Sequence, residues 1–308
     1  MTAVRRYEGT VYDSNRWDGF ELRPGDIIIS TPPKCGTTWT QMICALLILQ
    51  EPQLPLPLDT LSPWIDMVTR ARKEVFADLE AQTHRRFIKT HTPLDGIPND
   101  PTVTYICVRR DPRDVALSMD HHIDNTDIGA FLETRERAAA IDGIELGPLP
   151  PRPPRPDGER DRFWQWVDDE TPSTQVGSSL RRTVEHLQTF RDAGDYLDVV
   201  CLHFDDLKAD LEGEMRQLAA RLDISVDDHL WPRLVEAATF ESMRSRADTS
   251  VPGGGREHWI DPAAFFSRGT SGQWRDLLDD ADRARYAARV RALASADVIE
   301  WVHREPID

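Results

Sequence analysis

Short apolar runs, rich in β-branched residues, alternate along the chain with longer segments of helical composition. Four of these runs predict strands, at residues 26–30 (DIIIS), 86–90 (RFIKT), 102–108 (TVTYICV) and 197–204 (LDVVCLHF). The first run is uninterrupted, which is typical of a strand buried on both faces of a sheet. Because helical segments separate the strands, the pattern predicts one α/β domain over residues 1–308, with a central parallel sheet flanked by helices.

The segments between the strands predict helices and two irregular regions. Helices are expected at residues 37–50, from 112 onward, at 178–193 and 205–222, and over most of the chain beyond 228 except 250–258. Four prolines make residues 51–65 irregular, and six prolines in residues 146–158 predict a mobile loop.

The amino-acid composition limits which ligands the protein could bind and in which compartment it is expected. The formal net charge of −16 disfavours non-specific nucleic-acid binding, so an anionic ligand would need a local positive site. The four cysteines show no CxxC spacing, which argues against zinc knuckles and a disulfide framework, and no other convincing metal cluster is visible. No apolar run could span a bilayer and no secretory signal is visible, so we expect a cytoplasmic protein.

The segment after the first strand, TPPKCGTTW, has the composition of an anion-binding loop. It differs from the common phosphate loop, because Lys34 precedes Gly36 instead of following the second glycine. Gly36 permits close approach of the backbone to a ligand, and N–H groups at the start of the next helix could converge on an anion. Thr37 and Thr38 add hydroxyl donors, and Trp39 offers a flat face for a purine. A tight strand–helix turn with Trp39 in the core is an equally good interpretation of this loop alone.

Two further segments follow predicted strands, where ligands bind in open α/β sheets. In KTHTP, His91 has a pKa range suited to a general base and Lys89 supplies a second charge. In VRRDPRDVALS, Arg110 can bind a phosphate through two parallel N–H bonds, and Ser118 lies two turns into the next helix. Taken singly, the first could be a solvated surface loop and the second a charged helix start capped by Asp111 and Asp114.

A fourth segment, FFSRGTSGQW, carries Arg268 and Gly269 near the C-terminus. These two residues could form a cationic, backbone-rich clamp over a phosphate. A glycine-containing turn between helices is the alternative.

These four segments, in this order, resemble the cytosolic type of sulfotransferase that uses 3′-phosphoadenosine 5′-phosphosulfate (PAPS). PKCGTTW is similar to that family's 5′-phosphosulfate loop, KTHTP to the segment with its catalytic histidine, RRDPRDVALS to its 3′-phosphate strand and helix, and RGTSGQWR to its C-terminal signature. The resemblance spans about residues 20–280. It implies a P-loop-NTPase-like sulfotransferase fold and transfer of a sulfuryl group to a hydroxyl or amine of a small-molecule acceptor. It also implies release of adenosine 3′,5′-bisphosphate (PAP) and no metal.

The resemblance also assigns roles to individual residues. His91 would take the acceptor's proton, Lys89 would steady the sulfuryl group, and Lys34 would neutralise the leaving oxygen. The loop would hold the 5′-phosphate of the nucleotide, and Arg110 and Ser118 would bind its 3′-phosphate. The adenine would lie between Trp39 and Phe240. The implied set is Lys34, Cys35, Gly36, Thr37, Thr38, Trp39, Arg110, Ser118, Phe240, Arg268 and Gly269.

The chain departs from the family pattern at four positions. Cys35 replaces a serine or threonine, Phe204 a tyrosine that helps to hold the nucleotide, Ser267 an arginine and Gln273 an aspartate. The last three changes predict weaker nucleotide binding or a different hold on the 3′-phosphate. The family's C-terminal dimer motif is not recognisable, so the oligomeric state stays open.

Aromatic residues in the expected acceptor regions favour a phenolic, steroidal or lipid-like acceptor over a free sugar, unless they belong to the core. They are Trp64, Phe76, Phe87, Phe131, Trp164 and Trp166. Two other functions remain possible from the sequence. One is a catalytically silent nucleotide-binding relative, and the other is a P-loop NTPase or kinase.

Overall fold

Four parallel strands form one sheet in the computed structural model, which describes residues 4–149, 153–252, 258–266 and 269–307. The sheet has the order β2-β1-β3-β4, so the predicted fold class is confirmed. All four predicted strands are present, and their ends differ from the predicted ones by at most two residues. The strands are β1 (Ile27–Ser30), β2 (Phe87–Thr90), β3 (Thr104–Arg109) and β4 (Asp198–His203).

Successive residues of the strands pack on opposite faces of this sheet. Ile27 and Ile29 belong to one hydrophobic cluster, together with much of the first helix. Ile28 belongs to a second cluster on the other face, together with Tyr105 and Cys107 of β3. The apolar runs of the sequence therefore reflect strands covered by helices on both sides.

Helices connect the strands and cover the sheet within the described ranges. They are α1 (Thr37–Leu49), α2 (Leu58–Leu61), α3 (Arg72–Ala81), α4 (Pro112–Asp124), α5 (Ile128–Asp142), α6 (Glu159–Val167), α7 (Leu180–Arg191), α8 (Phe204–Ala209), α9 (Leu211–Arg221), α10 (Trp231–Ala238), α11 (Phe240–Ser245), α12 (Ala247–Ser250), α13 (Trp274–Leu277), α14 (Asp280–Arg291) and α15 (Ala296–Val302). None of them is long and apolar enough to cross a membrane.

The prediction of one helix over residues 205–222 is wrong, because the chain breaks at Asp210. This residue has an extended φ of −144° and ψ of 77°, which ends α8. Its side chain then accepts a hydrogen bond from the N–H of Gly213 and so caps α9. The region 51–65, predicted to be irregular, contains the single helical turn α2. Residues 150–152 of the proline-rich loop and 253–257 of the expected break lie outside the described residues.

The strand order places a ligand crevice between β1 and β3. The chain leaves β1 toward β2 on one side and returns to β3 on the other, so the loops after β1 and β3 diverge at their carboxyl ends. Crevices of this kind are where open α/β sheets bind ligands. The loop with Lys34 and the loop with Arg110 border this crevice.

Candidate active site

The loop between β1 and α1 leaves the start of α1 open toward the crevice. Lys34 (φ +67°) and Gly36 (φ +110°) both have left-handed backbone conformations, which turn the chain tightly before Thr37. A Cβ at Gly36 would lie 3.2 Å from the ring of Phe204, so the glycine also allows close packing. Gly36 is the N-cap of α1 and provides no side-chain cap. The first N–H groups of this 13-residue helix are therefore available to an anion.

The side chains of this loop divide into buried and accessible groups. The Cys35 thiol is fully buried and burial raises its pKa to about 12, so it acts as a packing residue rather than a nucleophile. The hydroxyls of Thr31 and Thr37 hydrogen-bond each other beneath the loop. Thr38 and Trp39 are half-buried.

Three cations meet at the crevice. Burial, followed by the charges of Arg110 and Lys89, lowers the pKa of Lys34 to about 7. Burial also lowers the pKa of Lys89 to about 8, against the opposing effect of Asp66, and lowers that of Arg110. No carboxylate of the described residues lies within the 4.0 Å ion-pair distance of any of the three. Lys89 and Arg110 are buried and Lys34 is half-buried, and positive charges so placed without ion-paired carboxylates favour the binding of an anion.

Lysine is rare in this chain but is concentrated at this site. The chain has only four lysines against 33 arginines, and two of the four, Lys34 and Lys89, lie here. An arginine keeps its charge in proteins, whereas a buried lysine can shift its pKa toward neutrality.

Arg110 joins the two sides of the crevice. Its guanidinium donates to the carbonyl of Lys34 at 2.9 Å and to that of Thr270 at 3.1 Å, and it lies 4.2 Å from the centroid of the Phe204 ring. Its Nε–H is buried and has no acceptor among the described residues. Ser118 is half-buried, two turns into α4. The ring of Phe204 thus packs against the guanidinium of Arg110.

The environment of His91 suits a general base. The ring Nδ1 lies 2.7 Å from the carbonyl oxygen of Thr31, so Nδ1 carries the proton and Nε2 has a free lone pair. Burial, followed by the charge of Lys89, lowers the pKa of His91 well below its usual value. The ring is therefore neutral at pH 7, and a free Nε2 lone pair can accept a proton.

Trp64 forms a wall beside His91 and Lys89. Its ring meets that of His91 edge-on at 4.6 Å, and the Lys89 ammonium lies 4.2 Å from its centroid. The indole N–H donates to Asp66, which also accepts hydrogen bonds from the hydroxyls of Thr90 and Thr92. These contacts fix the orientation of the indole.

Trp39 contacts the chain just before Phe240, and Phe240 packs against Gly269. The Trp39 indole donates to the carbonyl of Ala238 at 2.8 Å, and its ring meets Phe204 at 5.5 Å. A Cβ at Gly269 would lie 2.7 Å from the Phe240 ring, so only glycine fits this close approach. Both aromatic rings are half-buried and pack against a hydrophobic cluster, so Trp39 contributes to the core and also keeps an exposed part.

Several predicted residues lie elsewhere or outside the described residues. Ser267 and Arg268 are outside them. Asp111 caps α4 as expected, but Asp114 instead accepts hydrogen bonds from the N–H groups of Gly272 and Gln273, which ties the C-terminal segment to α4. Of the aromatic residues expected near the acceptor, Trp64 contacts His91, whereas the other five contact other parts of the described chain, so their role at the acceptor stays a prediction. They are Phe76, Phe87, Phe131, Trp164 and Trp166.

The sequence analysis missed three side chains that complete the site. His122 of α4 contacts Lys34, and its ring packs against Trp259 at 4.9 Å and Phe265 at 5.8 Å. The spacing of four residues from Ser118 could have indicated His122, because it places both on one helix face. Phe265 is the first residue of the predicted segment FFSRGTSGQW, but no sequence signal indicated Trp259. The contacts of both rings depend on how the segment 258–266 folds over α4.

Known proteins share both this sequence pattern and this fold. The family model of the sulfotransferase domain matches residues 24–297. A glycolipid sulfotransferase of Mycobacterium bovis (strain BCG / Pasteur 1173P2) is 39% identical, with the alignment covering 98% of this chain and 95% of the relative. Sulfotransferase 1B1 of Canis lupus familiaris is 22% identical, covering 89% of this chain and 86% of the relative.

Two solved structures have the same fold. Mouse sulfotransferase SULT7A1 complexed with PAP superposes with a TM-score of 0.66 at 18% identity, covering 95% of this chain and 93% of that chain. Retinol dehydratase in complex with androsterone and inactive cofactor PAP superposes with a TM-score of 0.64 at 19% identity, covering 92% of this chain and 84% of that chain. The family match over most of the chain and the relative at 39% identity establish that this chain is a member of the sulfotransferase family.

Proposed function

We propose that this enzyme takes its sulfuryl group from PAPS, transfers it to a hydroxyl of its acceptor and releases PAP. The observation that carries the proposal is the cluster of Lys34, Lys89 and Arg110 beside the uncapped start of α1. In a chain with a net charge of −16, such a cluster is suited to a ligand that carries several negative charges. The presence of PAP in two solved proteins of the same fold supports the identity of the nucleotide.

The described residues fit such a nucleotide. The N–H groups at the start of α1, that of Thr37 included, and the half-buried hydroxyl of Thr38 would hold the 5′-phosphate end, whereas the Thr37 hydroxyl is engaged with Thr31. Arg110, which has a buried N–H without an acceptor in the described chain, would bind the 3′-phosphate with Ser118. The half-exposed rings of Trp39 and Phe240 would hold the adenine. Arg268 stays a predicted contributor.

The chain's own groups would then perform three tasks. Bound PAPS supplies a sulfuryl group, and its bond to the 5′-phosphate oxygen breaks as the acceptor oxygen bonds to sulfur. The Nε2 of His91 accepts the acceptor's hydroxyl proton, since the Nδ1–H group already donates a hydrogen bond to the carbonyl of Thr31. Lys34 neutralises the negative charge that develops on the leaving oxygen, and Lys89 stabilises the transferring group.

We further propose that the acceptor is a glycolipid hydroxyl. The relatives at 38–39% identity are glycolipid sulfotransferases. Aromatic rings border both histidines, with Trp64 beside His91 and Trp259 and Phe265 beside His122. Such rings provide an apolar surface that suits lipid-linked sugars better than free ones.

An acceptor panel tests this choice of acceptor. With 35S-labelled PAPS, we expect label to enter a glycolipid at a kcat/KM at least about tenfold above that for the matching free sugar, because buried apolar area adds to binding. Equal incorporation into the free sugar would contradict the glycolipid proposal and leave the sulfotransferase reaction intact.

The nucleotide proposal predicts a preference for PAP over AMP. Titration calorimetry should show PAP binding at least about tenfold tighter than AMP, because Arg110 adds charge-assisted hydrogen bonds to the 3′-phosphate. Arg110→Met should weaken PAP binding by about 10- to 100-fold and AMP binding by less, because only PAP loses a contact to a 3′-phosphate.

Arg109→Met is the matched control for this prediction. The neighbouring arginine donates to the carbonyl of Trp301 and stacks on its ring, away from the crevice. This variant should keep the wild-type preference for PAP. No preference for PAP in the wild-type protein would refute the assignment of Arg110.

A further inference from the structure

Two neutral side chains of the described chain, those of His122 and Phe265, contact the ammonium of Lys34. Its Nζ lies 3.2 Å from Nδ1 of His122, within hydrogen-bond distance, and 4.6 Å from the centroid of the Phe265 ring. The nearby charges that lower its pKa, Arg110 and Lys89, both repel the ammonium. The contact with His122 is therefore the polar interaction that opposes this repulsion.

The chemistry of the pair assigns the direction of the hydrogen bond. Lysine carries N–H groups both as an amine and as an ammonium, so it can donate in either state. Burial, followed by the charges of Lys34 and Lys89, lowers the pKa of His122 well below its usual value and keeps the ring neutral. Nδ1 of His122 is then the acceptor, and the ring proton resides on Nε2.

The position of His122 is fixed by the segment 258–266. The rings of Trp259 and Phe265 pack against the imidazole. The backbone of this segment is hydrogen-bonded to the turn between α4 and α5, from the Asp127 N–H to the carbonyl of His258 at 2.8 Å and from the Ile260 N–H to that of Asn125 at 3.0 Å. The Asn125 side chain also donates to the Asp261 carbonyl and accepts from its N–H. These contacts thus fix the position of the acceptor atom beside the Lys34 ammonium.

We propose that His122 is the positioning residue of Lys34, and that its Nδ1 keeps the lysine over the phosphate loop against the repulsion of Arg110 and Lys89. A lysine side chain loses much rotamer freedom when it is held, so it would otherwise turn toward solvent. This inference rests on the proposed function, in which Lys34 acts on the leaving oxygen. His122 acts through Lys34 and has no other role in the proposal.

The kinetic test compares two substitutions at position 122. His122→Phe keeps an aromatic ring against Trp259 and Phe265 but has no acceptor, so kcat should fall by about 10- to 100-fold. The Kd for PAP should change by less than about threefold, because the loop N–H groups remain. His122→Asn, with an amide oxygen near the place of Nδ1, should restore kcat to within about fivefold of wild type. Wild-type turnover in His122→Phe, or an Asn variant as slow as the Phe variant, would overturn the proposal.

A second test needs no substrate. Lysines labelled with 13C at Cε give four NMR signals in this chain, and Lys34→Met identifies the signal of Lys34. Burial lowers the pKa of Lys34 to about 7, and its titration midpoint should fall further, by about one pH unit, in His122→Phe, because the ammonium loses an acceptor. It should stay near the wild-type value in His122→Asn, and the signals of Lys73 and Lys208 should not change.

The two proposals fail in different ways. An unchanged Lys34 midpoint in His122→Phe refutes the positioning role even if PAP binds as expected. If instead wild-type protein fails to prefer PAP while the midpoint shifts, the contact between His122 and Lys34 is supported and the nucleotide assignment is refuted.

Discussion

Replacement of His91 by alanine is expected to lower kcat by about 10²–10⁴-fold, which is the usual contribution of a positioned general base. The Kd for PAP should remain within about twofold of wild type, because the proposed contacts of His91 are with the acceptor and not with the nucleotide. The buried, neutral ring donates from Nδ1 to Thr31, which leaves Nε2 as its basic atom. Steady-state kinetics and calorimetry on the same preparations measure both quantities.

A second variant separates catalysis from packing at this position. His91→Asn can keep a donor toward the Thr31 carbonyl but has no basic nitrogen, so it should be as slow as His91→Ala. Near-normal turnover in either variant would remove His91 from the mechanism. Since the neutral ring is the active form and its pKa is lowered, wild-type kcat/KM should not decline as pH falls from 7 to about 6.

The second large effect concerns folding stability. Asp26→Asn is expected to lower the free energy of unfolding by about 3–5 kcal/mol, because it leaves the guanidinium of Arg86 buried without its counter-charge. Arg86 is 2% exposed and donates to both carboxylate oxygens of Asp26, from Nε at 2.9 Å and from Nη2. A loss of this size is a large part of the total stability of a typical domain, about 5–15 kcal/mol. Urea unfolding measures it.

Two controls identify the cause of that loss. The double variant Asp26→Asn with Arg86→Met removes both charges and should recover most of the stability. Glu212→Gln removes an exposed partner of Arg216 and should change stability by less than about 0.5 kcal/mol. If the double variant is as unstable as Asp26→Asn, the buried charge is not the cause.

The sequence was sufficient for the sheet because short apolar, β-branched runs mark its strands. The DIIIS run could be assigned to a strand buried on both faces without knowledge of its neighbours, and β2 is also buried at every residue, whereas β4 is only partly buried. It was insufficient at Asp210, where a side-chain cap competes with a continuous helical pattern. Periodicity alone does not distinguish a residue inside a helix from one that caps the next.

Some residues of the candidate site could likewise be predicted from the sequence, and others could not. Lys34, Gly36, His91 and Arg110 lie in short local motifs, so the sequence could indicate them. His122 was missed because its contacts are with residues far away along the chain, in the phosphate loop and in the segment 258–266. The tautomer of His91 was also beyond the sequence, since it depends on the Thr31 carbonyl of a neighbouring loop.

The left-handed backbone of Lys34 implies a conflict between folding and activity. A residue with a Cβ adopts this conformation at a cost of about 1 kcal/mol or more, whereas glycine adopts it readily. Selection for heat resistance alone would therefore favour Lys34→Gly, and the resulting protein would be more robust but would lack the cation proposed for the leaving oxygen. In this loop the needs of the reaction and the needs of the fold select different amino acids.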